Sequence, residues 1–125
     1  MSEDELYHKL MCDLNSIHLP VSEVEVEFRP YSVTYYGRYF PKRKNMPTPK
    51  MYLYPYDNEQ GDFMSYDKLL ETAIHEFIHH IQYSDPNFRR KKGVMHNVQF
   101  WKLYNHYIKR AEKYELMEED KYVHK

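Results

Sequence analysis

The strongest pattern of apolar and polar positions lies between Tyr66 and Tyr83 and predicts an amphipathic helix. Its apolar residues recur at the three- and four-residue spacing of an α-helix, namely Leu69, Leu70, Ala73, Ile74, Phe77, Ile78 and Ile81. Ser65 or Asp67 is suited to cap its first turn, and Asp85-Pro86 stops it. This helix is long enough to present one apolar face to a core and a separate stripe of polar side chains.

Two further helices are predicted near the ends of the chain. Residues 3–18 carry Leu6, Leu10, Met11, Leu14 and Ile17 at helical spacing. Ser2 and Glu5 are placed to form a capping box at its start, and Pro20 ends it. A last helix is predicted from about Asn97 to Met117, with Phe100, Trp101, Tyr104, Ile108 and Ala111 facing inward.

Three strands are predicted between the first two helices. In Val24–Phe28 apolar residues alternate with glutamates, which indicates a half-buried strand with an acidic outer face. Ser32–Phe40 is rich in β-branched and aromatic residues, with Gly37 as a candidate bulge. Met51–Tyr56 follows a proline-rich loop. Because Pro55 cannot donate a ladder hydrogen bond, we expect this strand to lie at a sheet edge or to end there.

The order of helix, three strands and two helices predicts a small α+β domain. A chain of 125 residues has room for one hydrophobic core, so residues 1–125 are interpreted as a single domain. The apolar fraction is 42%, and 14 tyrosines contribute much of it, so aromatic rings should fill part of the core. The only cysteine, Cys12, excludes an internal disulfide and a cysteine-based zinc ribbon within this sequence.

Net charge and hydropathy limit the kinds of partner and the compartment that we expect for this chain. A net charge of −1 argues against a protein that coats nucleic acid or a membrane surface. The basic residues Arg89, Arg90, Lys91 and Lys92 are candidate contacts for DNA phosphates, although a solvated loop that balances acidic termini explains them more simply. No signal peptide or membrane-length apolar run is visible, which predicts a cytoplasmic protein, in the host cytoplasm if it is viral.

The segment His75-Glu76-Phe77-Ile78-His79 is an HExxH motif within the strongest helix. Two histidines four residues apart project from one helical face, so both imidazoles can reach one metal ion. Glu76 follows the first of them, where a carboxylate can take a proton from an activated water. The pattern therefore predicts metal ligands at His75 and His79 and a general base at Glu76.

A catalytic zinc site usually has three protein ligands and one open position, so a third ligand is needed. The extended HExxHxxGxxH pattern fails, because Gln82 and Asp85 stand where glycine and histidine are required. Candidates on or before the last helix are His96, His106, Glu112 and Glu115. His96 is favoured, because it directly precedes a helix that can pack its start against the motif helix. His80 is rotated away from His79 and is not expected to be a ligand.

With these residues in place, the chain resembles the SprT-like (Spartan-type) zinc metallopeptidases. The similar stretch runs from Lys50 to Tyr104, a little under half of the chain, and includes a strand, Leu69–Ile74 leading into HExxH, and His96–Trp101. In that family the third histidine is usually followed by glycine, with an aromatic residue four positions after the histidine. Here Asn97 replaces the glycine, and Phe100 supplies the aromatic ring.

The resemblance implies a minimal zincin-like domain without the zinc ribbon that many family members carry. It implies zinc ligands at His75, His79 and His96, with Glu76 as the general base of an endopeptidase. Spartan-type members cleave proteins crosslinked to DNA. The predicted substrate is a protein or peptide, added as a strand along the edge of Met51–Tyr56. The alternative is a non-catalytic, zinc-stabilised binding or regulatory module, which can be associated with DNA and would have no use for Glu76.

Overall fold

The computed structural model describes residues 1–88 and 95–117. The elements in chain order are α1 (Glu3–Ser16), a short 3₁₀ turn (Val21–Glu23), β1 (Glu25–Phe28), β2 (Gly37–Phe40), β3 (Lys50–Leu53), α2 (Tyr66–Ser84) and α3 (Val98–Lys113). The three strands form one sheet. This mixed architecture confirms the predicted α+β class.

Each helix begins at a residue whose side chain caps it. Ser2 and Glu5 form the predicted capping box at the start of α1. The Ser65 hydroxyl, rather than Asp67, accepts from the Lys68 amide at the start of α2. Asn97 accepts from the Phe100 amide at the start of α3. These bonds satisfy backbone N–H groups that have no partner inside the helix, so the helix starts are set locally.

The sheet has the order β1-β3-β2, which differs from the order of the strands along the chain. β3 is central, parallel to β1 and antiparallel to β2. The expectation that the third strand lies at a sheet edge is therefore wrong. The other expectation, that the strand ends near Pro55, is correct, because β3 ends at Leu53 and Pro55 lies beyond the ladder. The missing N–H of proline therefore removes no strand-to-strand hydrogen bond.

The second strand is shorter than predicted, because it begins at Gly37 and not at Ser32. The Ser32 hydroxyl accepts hydrogen bonds from the backbone amides of Thr34 and Tyr35. Such a local side-chain turn competes with strand pairing for the same amide groups. The segment of residues 32–36 therefore forms a turn that leads into β2.

Gly37 is not a bulge, since β2 pairs with β3 in continuous register from Gly37 to Phe40. Its importance is a close approach to α2. A Cβ atom at this position would lie 2.9 Å from Cγ of Glu76 and 3.0 Å from Cγ2 of Thr72. Only glycine lets the start of β2 lie this close to the HExxH segment of α2.

The core lies between the sheet and the helices and is rich in aliphatic and aromatic side chains. Phe77 and Phe100 are fully buried, and they join α2 and α3. Trp101, predicted to face inward, is instead 43% exposed. Arg110 of α3 donates to the backbone carbonyl of Ile17, which secures α3 to the end of α1. Among the residues described, no helix combines the length and apolar character needed to cross a membrane.

Candidate metal centre

Three histidine rings converge at the junction of α2 and α3. His75 and His79 lie one turn apart on α2, and His96 lies directly before the cap of α3. Nε2 of His96 is 3.2 Å from Nε2 of His75 and 3.1 Å from Nε2 of His79. The ligand atoms of the three residues all lie within 4.8 Å of one another. The three side chains are therefore close enough to bind one metal ion.

Phe100 forms an apolar support for this cluster. Its ring centroid is 5.0 Å from that of His75, 4.9 Å from that of His79 and 4.8 Å from that of His96. Because Phe100 is fully buried and lies in the first turn of α3, it restricts the orientation of all three imidazoles. This is the aromatic residue that the sequence places four positions after His96.

Burial favours the uncharged form of the two helical histidines. Burial, with the neighbouring His79 and His96, lowers the pKa of His75 to about 4. Burial also lowers the pKa of His79. Both rings are therefore neutral near pH 7, which is the state in which an imidazole nitrogen can bind a metal ion.

Gln82 connects two of the three histidines. Nδ1 of His79 lies 2.7 Å from Oε1 of Gln82, and Nε2 of Gln82 donates to the backbone carbonyl of Met95 at 2.6 Å. Gln82 is only 1% exposed, although its side chain is polar. One buried amide thus contacts a histidine of α2 and the residue that precedes His96.

Glu76 lies beside the histidines, with its carboxyl group largely shielded from water. The residue is 8% exposed, and burial raises the pKa of its carboxyl group to about 7. Among the residues that the structure describes, none forms a hydrogen bond with this carboxyl group. A carboxyl with a pKa near neutrality can both accept and release a proton under ordinary conditions.

An open cavity of about 280 Å³ leads to Glu76 and His75. The turn and the start of β2 (residues 34–37) form one wall, and α2 and Tyr104 form the other. A second cavity of about 370 Å³ continues past Tyr39 to His79 and His96. In the part of the chain that the structure describes, the histidine cluster therefore lines an open cleft.

His80 is not part of the cluster, and its ring is 3% exposed. Its Nδ1 lies 2.7 Å from the Tyr39 hydroxyl, and its Nε2 lies 2.8 Å from Oε1 of Glu23. The other candidates for a third ligand also lie outside the cluster found in the described residues. His106, for example, is exposed and contacts Arg110.

The candidate DNA contacts Arg89, Arg90, Lys91 and Lys92 lie outside the described residues. The sequence predicts no role in the site for Gln82 or Gly37. It predicts an aromatic ring at Phe100 but not the contact of that ring with all three imidazoles. One local feature of the sequence does indicate a contact between Gln82 and His79. The two residues are three positions apart and therefore lie on the same side of the helix.

The fold and the site together define a small α+β protein with a three-histidine centre suited to a metal ion. Comparisons of this chain with protein-family models, with curated proteins and with solved structures found no match.

Proposed function

We propose that this protein is a zinc-dependent endopeptidase, with His75, His79 and His96 as metal ligands and Glu76 as general base. The observation that carries the proposal is the convergence of three Nε2 atoms beside a buried carboxyl group in an open cleft. A module that binds a metal for stability alone needs the histidines, but it needs neither the carboxyl group nor the cleft.

The donor set fits zinc. Ligand nitrogens about 2.0–2.1 Å from a tetrahedral zinc ion lie about 3.3 Å from one another. The Nε2 atom of His96 lies 3.2 and 3.1 Å from its two counterparts, close to that separation. Three imidazoles with no cysteine leave a fourth position for water or substrate, which is the pattern of catalytic rather than structural zinc sites.

A zinc ion at such a centre supplies Lewis-acid chemistry, which makes water acidic and polarises a peptide carbonyl. The chain supplies the proton transfers. Glu76 takes a proton from the attacking water and then delivers it to the leaving amine. Burial suits Glu76 to both steps, because it raises the pKa of the carboxyl group to about 7.

The substrate strand is proposed to pair with β2 and not with residues 51–56. The third strand is central and has neighbours on both sides, which excludes the edge predicted there. The Tyr54 amide donates to the Tyr36 carbonyl, so the backbone groups of Tyr36 face β3. In an antiparallel pair, successive residues point their backbone groups in alternating directions. The N–H and C=O groups of Gly37 and Tyr39 therefore point away from β3, toward the outer edge of β2. Both residues line the cleft. Backbone pairing there would hold a peptide without requiring a particular sequence.

The substitution Glu76→Gln tests the proposal. It keeps the size of the side chain but removes its ability to accept a proton. We expect zinc content and fold to survive, while hydrolysis of an unfolded protein substrate falls by about a hundred- to ten-thousandfold. The assay measures cleavage with and without added DNA, so that activation by nucleic acid is detected.

Asp67→Asn, on the first turn of α2 and outside the cleft, is the matched carboxyl-to-amide control and should cleave like wild type. If the wild type binds zinc but cleaves nothing under any of these conditions, the protein is a zinc-stabilised module. Metal-dependent cleavage by Glu76→Gln at the wild-type rate would show that the assigned general base is wrong.

A further inference from the structure

We infer that Gln82 is a positioning residue that sets the tautomer of His79 and anchors the segment that carries His96. The inference rests on the proposed metal site, but its first test needs no metal. Among the described residues, Gln82 is not one that lines the cleft, and its two side-chain hydrogen bonds go to Nδ1 of His79 and the Met95 carbonyl.

The hydrogen-bond pattern around Gln82 admits one arrangement. The Met95 carbonyl can only accept, so the group of Gln82 that faces it must be the NH₂ group. The reversed amide would bring two oxygens together at 2.6 Å. Oε1 of Gln82 therefore faces His79, and because this oxygen only accepts, Nδ1 of His79 must carry the proton.

A neutral imidazole with its proton on Nδ1 has a lone pair on Nε2. That atom of His79 is the one that faces His75 and His96. A neutral histidine free in water instead samples both tautomers. Gln82 thus removes a step that would otherwise precede metal binding, since no proton has to leave Nε2.

The second hydrogen bond acts on the third ligand. His96 directly follows Met95, and it is the member of the cluster that lies outside a helix. Fixing the Met95 carbonyl to α2 therefore limits how far the His96 ring can move from His75 and His79. A single side chain of α2 in this way organises ligands that are 17 residues apart in sequence.

Nitrogen NMR of the metal-free wild type is the first test. Long-range ¹H–¹⁵N spectra above neutral pH should show His79 protonated at Nδ1 and unprotonated at Nε2. The side-chain amide protons of Gln82 should exchange with solvent more slowly than those of the exposed Gln60. An Nε2–H tautomer at His79, or exchange at Gln82 as fast as at Gln60, overturns the inference without any substitution.

The second test measures zinc affinity by competition with a chelator. Gln82→Met preserves the length of the side chain but removes both hydrogen bonds. It should bind zinc about 10–100-fold more weakly, the usual effect of losing a partner behind a metal ligand, and its His79 should lose the single tautomer. Tyr66→Phe is the control, because it removes a hydrogen bond to Asp13 at the first residue of the same helix, far from the ligands.

Wild-type zinc affinity and an unchanged His79 tautomer in Gln82→Met would refute the positioning role. If Tyr66→Phe loses as much affinity as Gln82→Met, the effect reflects stability and the role is again refuted. Failure of the proposed function is a separate result, because a wild type that binds no zinc still reports the tautomer of His79.

Discussion

Gly37 shows how a single residue without a side chain can control the chemistry of a neighbour. The space that a Cβ atom would need is occupied by Cγ of Glu76, a flexible part of the proposed general base. The Thr72 methyl group blocks the other direction. Adding one carbon atom would therefore force either the Glu76 side chain or the start of β2 to move.

Replacing Gly37 with alanine should consequently reduce catalysis more than folding. Overpacking of this kind lowers the free energy of unfolding by about 1–3 kcal/mol. A displacement of Glu76 on the order of 1 Å should lower kcat/KM about a hundredfold, with zinc content unchanged. Urea denaturation, metal analysis and the cleavage assay together measure the three quantities.

Gly61→Ala provides the comparison for Gly37→Ala. Gly61 has a φ of +91° and open space around the position of a Cβ atom, so alanine there strains only the backbone. It should lose stability with normal activity. Equal activity in Gly37→Ala and wild type would show that the contact with Glu76 has no catalytic consequence.

Individual residues of the centre were predictable to different degrees. His75 and His79 follow from helical spacing alone, because four residues make about one turn. The prediction of His96 is less direct. It depends on the start of the last helix packing against the motif helix. Gln82 could not be assigned, since its partner Met95 is distant in sequence and a buried glutamine has no helical pattern of its own.

Among the elements, β2 and α2 are joined by a buried polar contact as well as by apolar packing. The Glu23 carboxylate only accepts, so Nε2 of His80 carries a proton toward it, and Nδ1 of the same ring shares a hydrogen bond with the Tyr39 hydroxyl. Burial raises the pKa of Tyr39 to about 12, which keeps this hydroxyl protonated. The contact holds the strand that borders the cleft against the motif helix.

Tyr39→Phe should remove this contact and leave Nδ1 of the buried His80 without its hydrogen-bond partner. An unsatisfied buried polar atom lowers the free energy of unfolding by about 1–3 kcal/mol. Zinc content should not change, because His80 is outside the cluster. Tyr36→Phe, at an exposed tyrosine of the same segment, should alter stability by less than about 0.5 kcal/mol. Similar stability of the two variants would contradict the role of the contact.

The sequence predicts which helices and strands exist better than it predicts which of them pack or pair with one another. Helix ends are set by local caps such as Ser65, so the bounds of α2 were predicted to within one residue. The pattern of apolar residues does not predict the strand order. β1 lies next to β3 in the sheet although β2 comes between them in the sequence, and such pairing depends on distant residues. The turn at Ser32 shows how one hydroxyl can shorten a segment of high β propensity.

On the scale of the whole molecule, a metal ion at this centre would crosslink α2 to the segment that precedes α3. The helices already share Phe77 and Phe100 in the core. Any ligand that binds the folded but not the unfolded chain stabilises the fold by mass action. Metal content and thermal stability should therefore change together.

We expect one zinc ion per chain. Free zinc at about a hundred times Kd should raise the free energy of unfolding by about 2.7 kcal/mol, observed as a higher Tm. His96→Ala should lose most of this increase, whereas His106→Ala, at an exposed histidine of α3, should retain it. The measurement is thermal unfolding with and without chelator, combined with metal analysis of untagged protein. Equal zinc binding by His96→Ala and wild type would remove His96 from the ligand set.

The two outer strands of the sheet differ in what they offer to another chain. β1 presents Glu25 and Glu27 from its exposed face, and two copies meeting along this strand would bring like charges together. β2 borders the histidine cleft instead. We therefore expect self-association and amyloid-like stacking to be disfavoured at β1, the outer strand remote from the cleft. Strand addition is expected at β2, which faces the proposed catalytic groups. The acidic stripe of β1, in which Glu27 pairs with Arg29 and Glu25 lies beside Lys50, is therefore expected to oppose aggregation along that strand.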